Sequence, residues 1–318
     1  MRTATLGRDG PRISRLGIGG WQAGGTGPWG AGPEGDEDEA IAAIRSAVEG
    51  GVTWVDTAAA YGLGRSEEVV ARALAPWRVG EEVLVFSKCA HPWEPPDRIW
   101  TDLSPSTIRR QCEESLRRLG VERIDLYQFH HPDPATPVED SWATLAALVD
   151  EGKVRWAGVS NFDVDLLERC EAIRHVDSLQ PELSLLRPEA AADVIPWCRE
   201  HGTGVIVYSP IASGLLSGAR DRAWLASASD EDRMDTPADS IWTLVEGLRP
   251  IAGRLGIPVP ALATAWTLSI EGVTGAICGA RRPEQVEGWI AAGDVQLGPD
   301  DVRQIEAALP AAGIGGAG

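Results

Sequence analysis

Four side chains able to pass or hold a proton end short apolar runs or follow them closely in the first half of the chain. In WVDTAAAYGLGRSEEVVARAL, residues 54–74, an apolar run stops at Asp56, and a glycine-bounded loop carries Tyr61 five residues later. VFSKC sets Lys88 at the end of a second run, and DLYQFH sets His130 at the end of a third. A carboxylate, a phenol, an ammonium and an imidazole together describe a tuned general acid. Tyrosine alone is a poor acid near neutrality, with a pKa of about 10. A neighbouring ammonium favours the phenolate and lowers that pKa. Asp56 supplies the counter-charge a buried Lys88 needs, and His130 can hydrogen-bond and orient a substrate oxygen. General acid help of this kind is worth roughly 10²–10⁴ in rate. A carbonyl taking up hydride needs such a proton as its oxygen becomes an alkoxide.

Each residue has a plainer use when taken singly. Asp56 can cap a helix, Tyr61 can pack under its loop, Lys88 can join a barrel salt bridge, and His130 can be a satisfied core histidine. Four of them on three consecutive strand ends point to a site. His131 is expected to face away, since neighbours on a strand alternate sides. Lys88 and Lys153 are the chain's two lysines among many arginines. Arginine stays charged and planar, whereas an ammonium is compact and its proton affinity can be tuned.

The elements that must position these residues alternate in type. β-prone runs fall at 16–20, 52–56, 83–87, 124–130, 154–160, 177–183, 204–210 and 273–279. Between them lie helical patterns. SPSTIRRQCEESLRRLG has Ser104 as N-cap, Pro105 at the first helical position and a stop at Gly120. DEDEAIAAIRSAVEGG and RPEQVEGWIAAG show the same acidic or proline start and glycine stop. Eight strand–helix repeats predict an α/β fold, a parallel (β/α)₈ TIM barrel forming a single domain over residues 1–318. In such a barrel the strand C-termini carry the chemistry. The first run leads into GIGGWQAGG, which lacks the GxGxxG spacing of a doubly wound dinucleotide fold. Residues 1–15, with RDGP as a turn, are expected to form a hairpin before the first barrel strand. Residues 310–318 are expected to be a mobile tail, and the irregular stretch 211–240 a lid.

Composition excludes several classes. A formal charge of −18 disfavours nucleic acid and anionic membrane surfaces as partners. No apolar run approaches the roughly 18 residues of a spanning helix. The start of the chain lacks a signal-peptide pattern. The scattered Cys89, Cys112, Cys170, Cys198 and Cys278, with no CxxC pair, fit reduced structural thiols and a cytoplasmic location. No metal is expected. A metal-dependent hydrolase or lyase using Asp56, His130 and His131 would need more converging ligands, and Lys88 would repel the cation.

The ordered set VDTAAAYG with SEEVVARAL, VFSKC, DLYQFHHPDP, EGKVRWAGVSNF, VIVYSPIASGLLSG and GARRPEQ resembles the motifs of the aldo-keto reductase superfamily from about residue 4 to residue 309. The resemblance implies a (β/α)₈ oxidoreductase that moves hydride from NADPH to a small aldehyde or ketone. It implies the tetrad Asp56, Tyr61, Lys88 and His130, with Tyr61 as proton donor. By the same resemblance Ser160, Asn161 and Gln180 hold the nicotinamide carboxamide, and Tyr208 stacks on the ring. Ser209, Pro210, Ile211, Gly214, Leu215 and Leu216 follow the pyrophosphate. Gly279, Arg281, Arg282 and Gln285 hold the adenosine end, where arginine can clamp a 2′-phosphate and the helix start near Pro283 favours anions. The family usually has asparagine four residues after that glutamine. Here Trp289 stands there, to stack on adenine or to serve helix packing.

Trp21, Trp29, Trp93 and Trp100 flank the first and third strand–helix loops and can wall a substrate pocket. Phe129, alternating with His130, is expected in the barrel shell. Nothing in the sequence selects among sugars, aliphatic aldehydes, quinones and steroids. The alternative function on the same fold is an NADPH-binding sensor or regulatory subunit with little turnover.

Overall fold

Eight parallel strands hydrogen-bond in chain order and the last returns to the first, closing a barrel in a computed structural model that describes residues 1–25, 29–30, 36–94 and 98–315. The strands are β1 (Leu16–Gly19), β2 (Trp54–Asp56), β3 (Leu84–Cys89), β4 (Ile124–Phe129), β5 (Val154–Ser160), β6 (Ser178–Gln180), β7 (Gly204–Val207) and β8 (Val273–Gly279). Each falls within, or within two residues of, one of the eight β-prone runs. Closure is set by register: Gly279 of β8 lies opposite Gly19 of β1, and Gly19 opposite Asp56 of β2. The expected TIM barrel is the observed architecture.

Helices α1 (Glu37–Glu49), α2 (Arg65–Leu74), α3 (Pro105–Leu119), α4 (Val138–Asp150), α5 (Val164–Glu171) and α6 (Val194–His201) follow β1 to β6 in turn. Beyond β7 come α7 (Arg222–Ser227), α8 (Ala238–Leu255) and α9 (Val259–Ser269), and beyond β8 come α10 (Pro283–Trp289) and α11 (Pro299–Ala311). α3 starts and stops where its residues predict. Ser104 holds the N-cap position, Pro105 opens the helix, and Gly120 ends it at φ +67°. The Ser104 hydroxyl does not bond a helix amide, so Pro105 and the left-handed Gly120 carry the boundary signal.

Side-chain alternation sorts the barrel wall into two environments. Trp54, Leu84, Phe86, Leu126, Ile206 and Ile277 fill the interior, with Trp54 and Phe86 rings 5.1 Å apart. Val55, Val85, Cys89, Tyr127, Phe129 and Val159 point outward into the shell between strands and helices. Phe129 meets Trp142 and Phe162 there, as its parity predicts. β1 gives way to the large interior indole: a Cβ on Gly17 would lie 2.5 Å from the Trp54 ring.

The N-terminal hairpin, Thr3–Thr5 paired antiparallel with Arg12–Ser14, plugs one end of the barrel. Its Leu6 and Ile13 join the interior cluster, and the Trp54 indole donates to Ser14 O at 2.9 Å. Two other expectations are revised. The stretch 211–240 is not irregular throughout, because it holds a 3₁₀ segment, Ala212–Ser217, then α7 and the start of α8. The chain at 310 is still helical, because Pro310 and Ala311 complete α11 and Ala312 is buried. Residues 316–318 of the expected tail lie outside the described residues.

Candidate active site

The interior rows turn from apolar to polar as they climb. On β2 the row is Trp54 then Asp56, on β3 Leu84, Phe86, Lys88, and on β4 Leu126, Gln128 followed by His130. Period-two alternation therefore delivers the carboxylate, ammonium and imidazole to one end of the barrel, the end where the strands finish. The short turn after β2 brings Tyr61 over them.

Lys88 donates to Asp56 Oδ1 in a short ion pair and to Thr57 O at 3.0 Å. Both ionic side chains are almost wholly removed from water, at 0% and 4% exposure. The other Asp56 oxygen accepts from Gln180 Nε2 at 2.9 Å and Gln128 Nε2 at 3.4 Å. The carboxylate is thus fully engaged, as a buried charge must be. The Tyr61 hydroxyl lies 3.4 Å from His130 Nε2, and Lys88 Nζ lies 5.2 Å from the Tyr61 ring centre.

Burial and neighbouring charge set the protonation. Loss of hydration pulls the Lys88 pKa down, but Asp56 and Tyr61 outweigh it and leave a net rise, so Lys88 is an ammonium at neutral pH. Burial pushes the Tyr61 phenol up, and the downward pull of Lys88 does not cancel it. The sequence-level expectation of a lowered phenol pKa is thereby corrected: without cofactor, desolvation is the larger effect. Tyr61 keeps its proton. Burial, with Lys88 and the neighbouring histidines, holds His130 well below its ordinary value, so its ring is neutral.

The expectation for His131 is also corrected. β4 ends at Phe129, and although His130 N–H still pairs with Cys89 O, alternation no longer governs 131, so the two rings stack with centres 5.0 Å apart. His91, in the turn after β3, joins them: its Nε2 lies 2.9 Å from His131 Nδ1. Trp29 lies against all three imidazoles, with ring centres 4.3, 5.1 and 5.7 Å from His91, His130 and His131. The Trp21 indole donates to Trp29 O at 3.1 Å and is 40% exposed. Trp93 is elsewhere engaged, its ring facing the Arg118 guanidinium at 5.5 Å, and Trp100 faces Arg98. Sequence reasoning passed over His91 and Gln128. Gln128 had a signal, the same parity as His130; His91 sits in a turn and had none.

Asn161, at φ +60°, sends its amide nitrogen to His130 O at 2.9 Å and accepts from the Tyr208 hydroxyl at 2.9 Å. Ser160 donates to Gln180 O at 2.7 Å. These bonds tie β4, β5, β6 and β7 together beside the tetrad. The loop after β7 is strained in a run. Ser209, Ala212, Ser213 and Gly214 all have positive φ, between +47° and +89°. Non-glycine residues in that region concentrate at ligand clamps. Leu215 and Leu216 are buried in the core under α8 and α9, and the Leu216 N–H donates to Ile211 O at 3.2 Å. Arg281 and Arg282 are exposed, and Arg281 N–H donates to Gln285 Oε1 at 2.6 Å. Gly279 is crowded by Gln22, whose buried Oε1 has no partner among the described residues. Trp289 serves packing: it is 1% exposed within the strand–helix shell.

Residues 15–310 match the model of the Aldo/keto reductase family. The chain belongs to that family. An aldo-keto reductase of Bacillus subtilis, YhdN, is 31% identical over 97% of this chain and 94% of its own length. The NADH-specific methylglyoxal reductase of Escherichia coli is 32% identical over 97% of this chain and 99% of its own. Among solved structures, the glycerol dehydrogenase of Gluconobacter oxydans superposes with a TM-score of 0.87 at 31% identity, covering 97% of this chain and 95% of the other. Aldo-keto reductases are oxidoreductases that use nicotinamide cofactors. The strained β7 loop, Gln22 Oε1, which has no partner among the described residues, and the polar ring at the barrel mouth fit such a cofactor.

Proposed function

We propose that this aldo-keto reductase reduces a small aldehyde or ketone to an alcohol with NADPH, using Tyr61 as proton donor. The buried Asp56–Lys88 pair beneath a protonated Tyr61, with His130 3.4 Å from its hydroxyl, is the observation that carries the reading. Hydride for the carbonyl carbon would come from a nicotinamide bound beside the tetrad. Tyr61 gives its proton to the carbonyl oxygen, and Lys88 stabilises the phenolate left behind. Asp56 keeps Lys88 charged and in place, and His130 orients the oxygen. Among carbonyl compounds the site favours short polar ones, because the mouth is lined by three imidazoles and the Trp29 face. Methylglyoxal, named for one relative, and glyceraldehyde, an aldehyde that oxidation of another relative's glycerol would give, are therefore the first substrates to try.

For the cofactor, Ser160, Asn161 and Gln180 stand beside the tetrad to meet the carboxamide, and Tyr208 the ring. Ser209, Pro210, Ile211, Gly214, Leu215 and Leu216 serve the pyrophosphate, and Gly279, Arg281, Arg282 and Gln285 the adenosine end. NADPH is preferred over NADH because two exposed arginines, Arg281 and Arg282, precede α10, and a guanidinium can clamp a 2′-phosphate. The NADH-specific relative makes this the point to test. Arg281→Ala and Arg282→Ala should weaken NADPH more than NADH, and equal loss for both cofactors would remove the assignment.

Tyr61→Phe should lower carbonyl reduction by about 10²–10⁴ with cofactor affinity nearly unchanged. NADPH oxidation against a carbonyl panel, with cofactor binding measured by fluorescence, reads both quantities. A Tyr61→Phe enzyme that turns over like wild type would refute Tyr61 as donor. Tight cofactor binding with no turnover in wild type would favour a sensor.

A further inference from the structure

We propose that His91, His130 and His131 form a binding site for a divalent transition-metal ion, zinc in particular, and that its occupation switches the reductase off. The inhibitory consequence rests on the function proposed above; the site does not. One ring nitrogen from each histidine can be chosen so that all three lie within 4.8 Å of one another. Zinc–imidazole bonds of about 2.0–2.1 Å hold two nitrogens of one site no more than about 4.2 Å apart, so binding draws the three rings closer together. Three neutral imidazoles with a fourth position left to water or hydroxide form a recurrent zinc ligand set, and imidazole also suits copper and nickel.

Three further features support the site. His91 Nε2 and His131 Nδ1 face each other at 2.9 Å, so two ligand atoms already converge and share one hydrogen. His91 Nδ1 is 3.4 Å from Trp100 O, an outer partner that keeps the proton on Nδ1 and the lone pair on Nε2. Trp29 lies against all three rings and walls the cluster. Ligation requires His131 to move its proton to Nε2. Each ring then keeps one N–H on its other nitrogen, and no proton is lost. The nearby Lys88 charge is answered by its own ion pair with Asp56.

The functional consequence follows from His130. The ring that orients the substrate oxygen is one of the three ligands, so an ion there occupies the place of the carbonyl group. Zinc should compete with the carbonyl substrate and leave cofactor affinity unaffected.

The test is a calorimetric titration of the purified, chelator-treated protein with zinc chloride, for wild type, His91→Gln and His131→Gln. One ion should bind per wild-type chain, and each variant should bind it at least about tenfold more weakly, since losing a ligand costs no less than losing an outer partner. Visible absorption of cobalt(II) bound to wild type, which reports low-coordinate nitrogen ligation, gives an answer even if a variant misfolds. Zinc affinity equal in wild type and both folded variants would overturn the site, as would a cobalt spectrum of purely six-coordinate oxygen ligation. Histidine-dependent zinc binding in a protein with no carbonyl turnover would uphold the site and remove the reductase reading. Histidine-dependent binding with unchanged carbonyl reduction would overturn the switch.

Discussion

Lys88 and Asp56 are stripped of water together, and that fixes what each can tolerate. A buried ammonium is stable there because Asp56 Oδ1 and Thr57 O accept its hydrogens, while Gln128 and Gln180 satisfy the remaining carboxylate oxygen. Removing one charge leaves the other buried and unpaired, which typically costs about 3–5 kcal/mol. Lys88→Met should therefore lower stability by that order as well as abolish reduction, measured by urea unfolding beside the activity assay. Replacing Lys88 and Asp56 together by apolar residues should recover much of the stability but none of the turnover. A Lys88→Met protein as stable as wild type would show that Asp56 finds another partner or takes up a proton. At this scale the sequence was informative wherever a charged residue ended an apolar run. It was silent on His91, since a histidine in a turn carries no periodicity. It misled on His131, since alternation was extended two residues past the end of β4.

At the scale of the elements, the interior rows of β2, β3 and β4 obey one rule, apolar low in the barrel and polar at the mouth. The rule was legible because strand parity is a property of the local chain. Which rows meet across the barrel depends on closure, and that has no local signal. The pairing of Gln128 and Gln180 with Asp56 comes from three different strands. The burial of Trp289 comes likewise from contacts distant in sequence. The loop after β7 shows the same limit. Its serine-rich composition reads as irregular, yet tertiary contacts hold Leu215, Leu216 and Leu225 in the core and draw α7 into shape. Closure also has a steric cost that can be tested. Trp54 fits because β1 offers no side chain at Gly17, where a Cβ would fall 2.5 Å from the indole. Gly17→Ala should destabilise by about 1–3 kcal/mol through overpacking. Gly17→Ala combined with Trp54→Phe should cost less than the two changes added. Strict additivity in denaturant melts would mean that β1 moves aside instead.

For the whole molecule, the shell between strands and helices makes the five thiols structural. All five cysteines are buried and free. Burial, the leading cause in each case, pushes Cys112, Cys170, Cys198 and Cys278 up to about 12, and Cys89 further still. The thiolate is the reactive form, so the native protein near neutral pH should resist iodoacetamide while the unfolded chain labels at all five positions. Intact mass after a timed exposure reads this directly. The same shifts give a direction for stability. A thiol whose folded pKa lies above its free value keeps its proton longer in the fold. Its contribution is fully present below the free value, 9.0, and is lost as pH rises toward about 12. Unfolding free energy should thus fall with alkaline pH over that window. Cys170→Ala and Cys198→Ala should each make the fall shallower, because each removes one group that must ionise. Lysine and tyrosine titrate in the same range, so the slope difference between variant and wild type carries the information. Identical slopes would place the alkaline loss on the buried phenols or on Lys88. Rapid labelling of one native thiol at neutral pH would instead locate a segment of the shell that opens without unfolding the barrel.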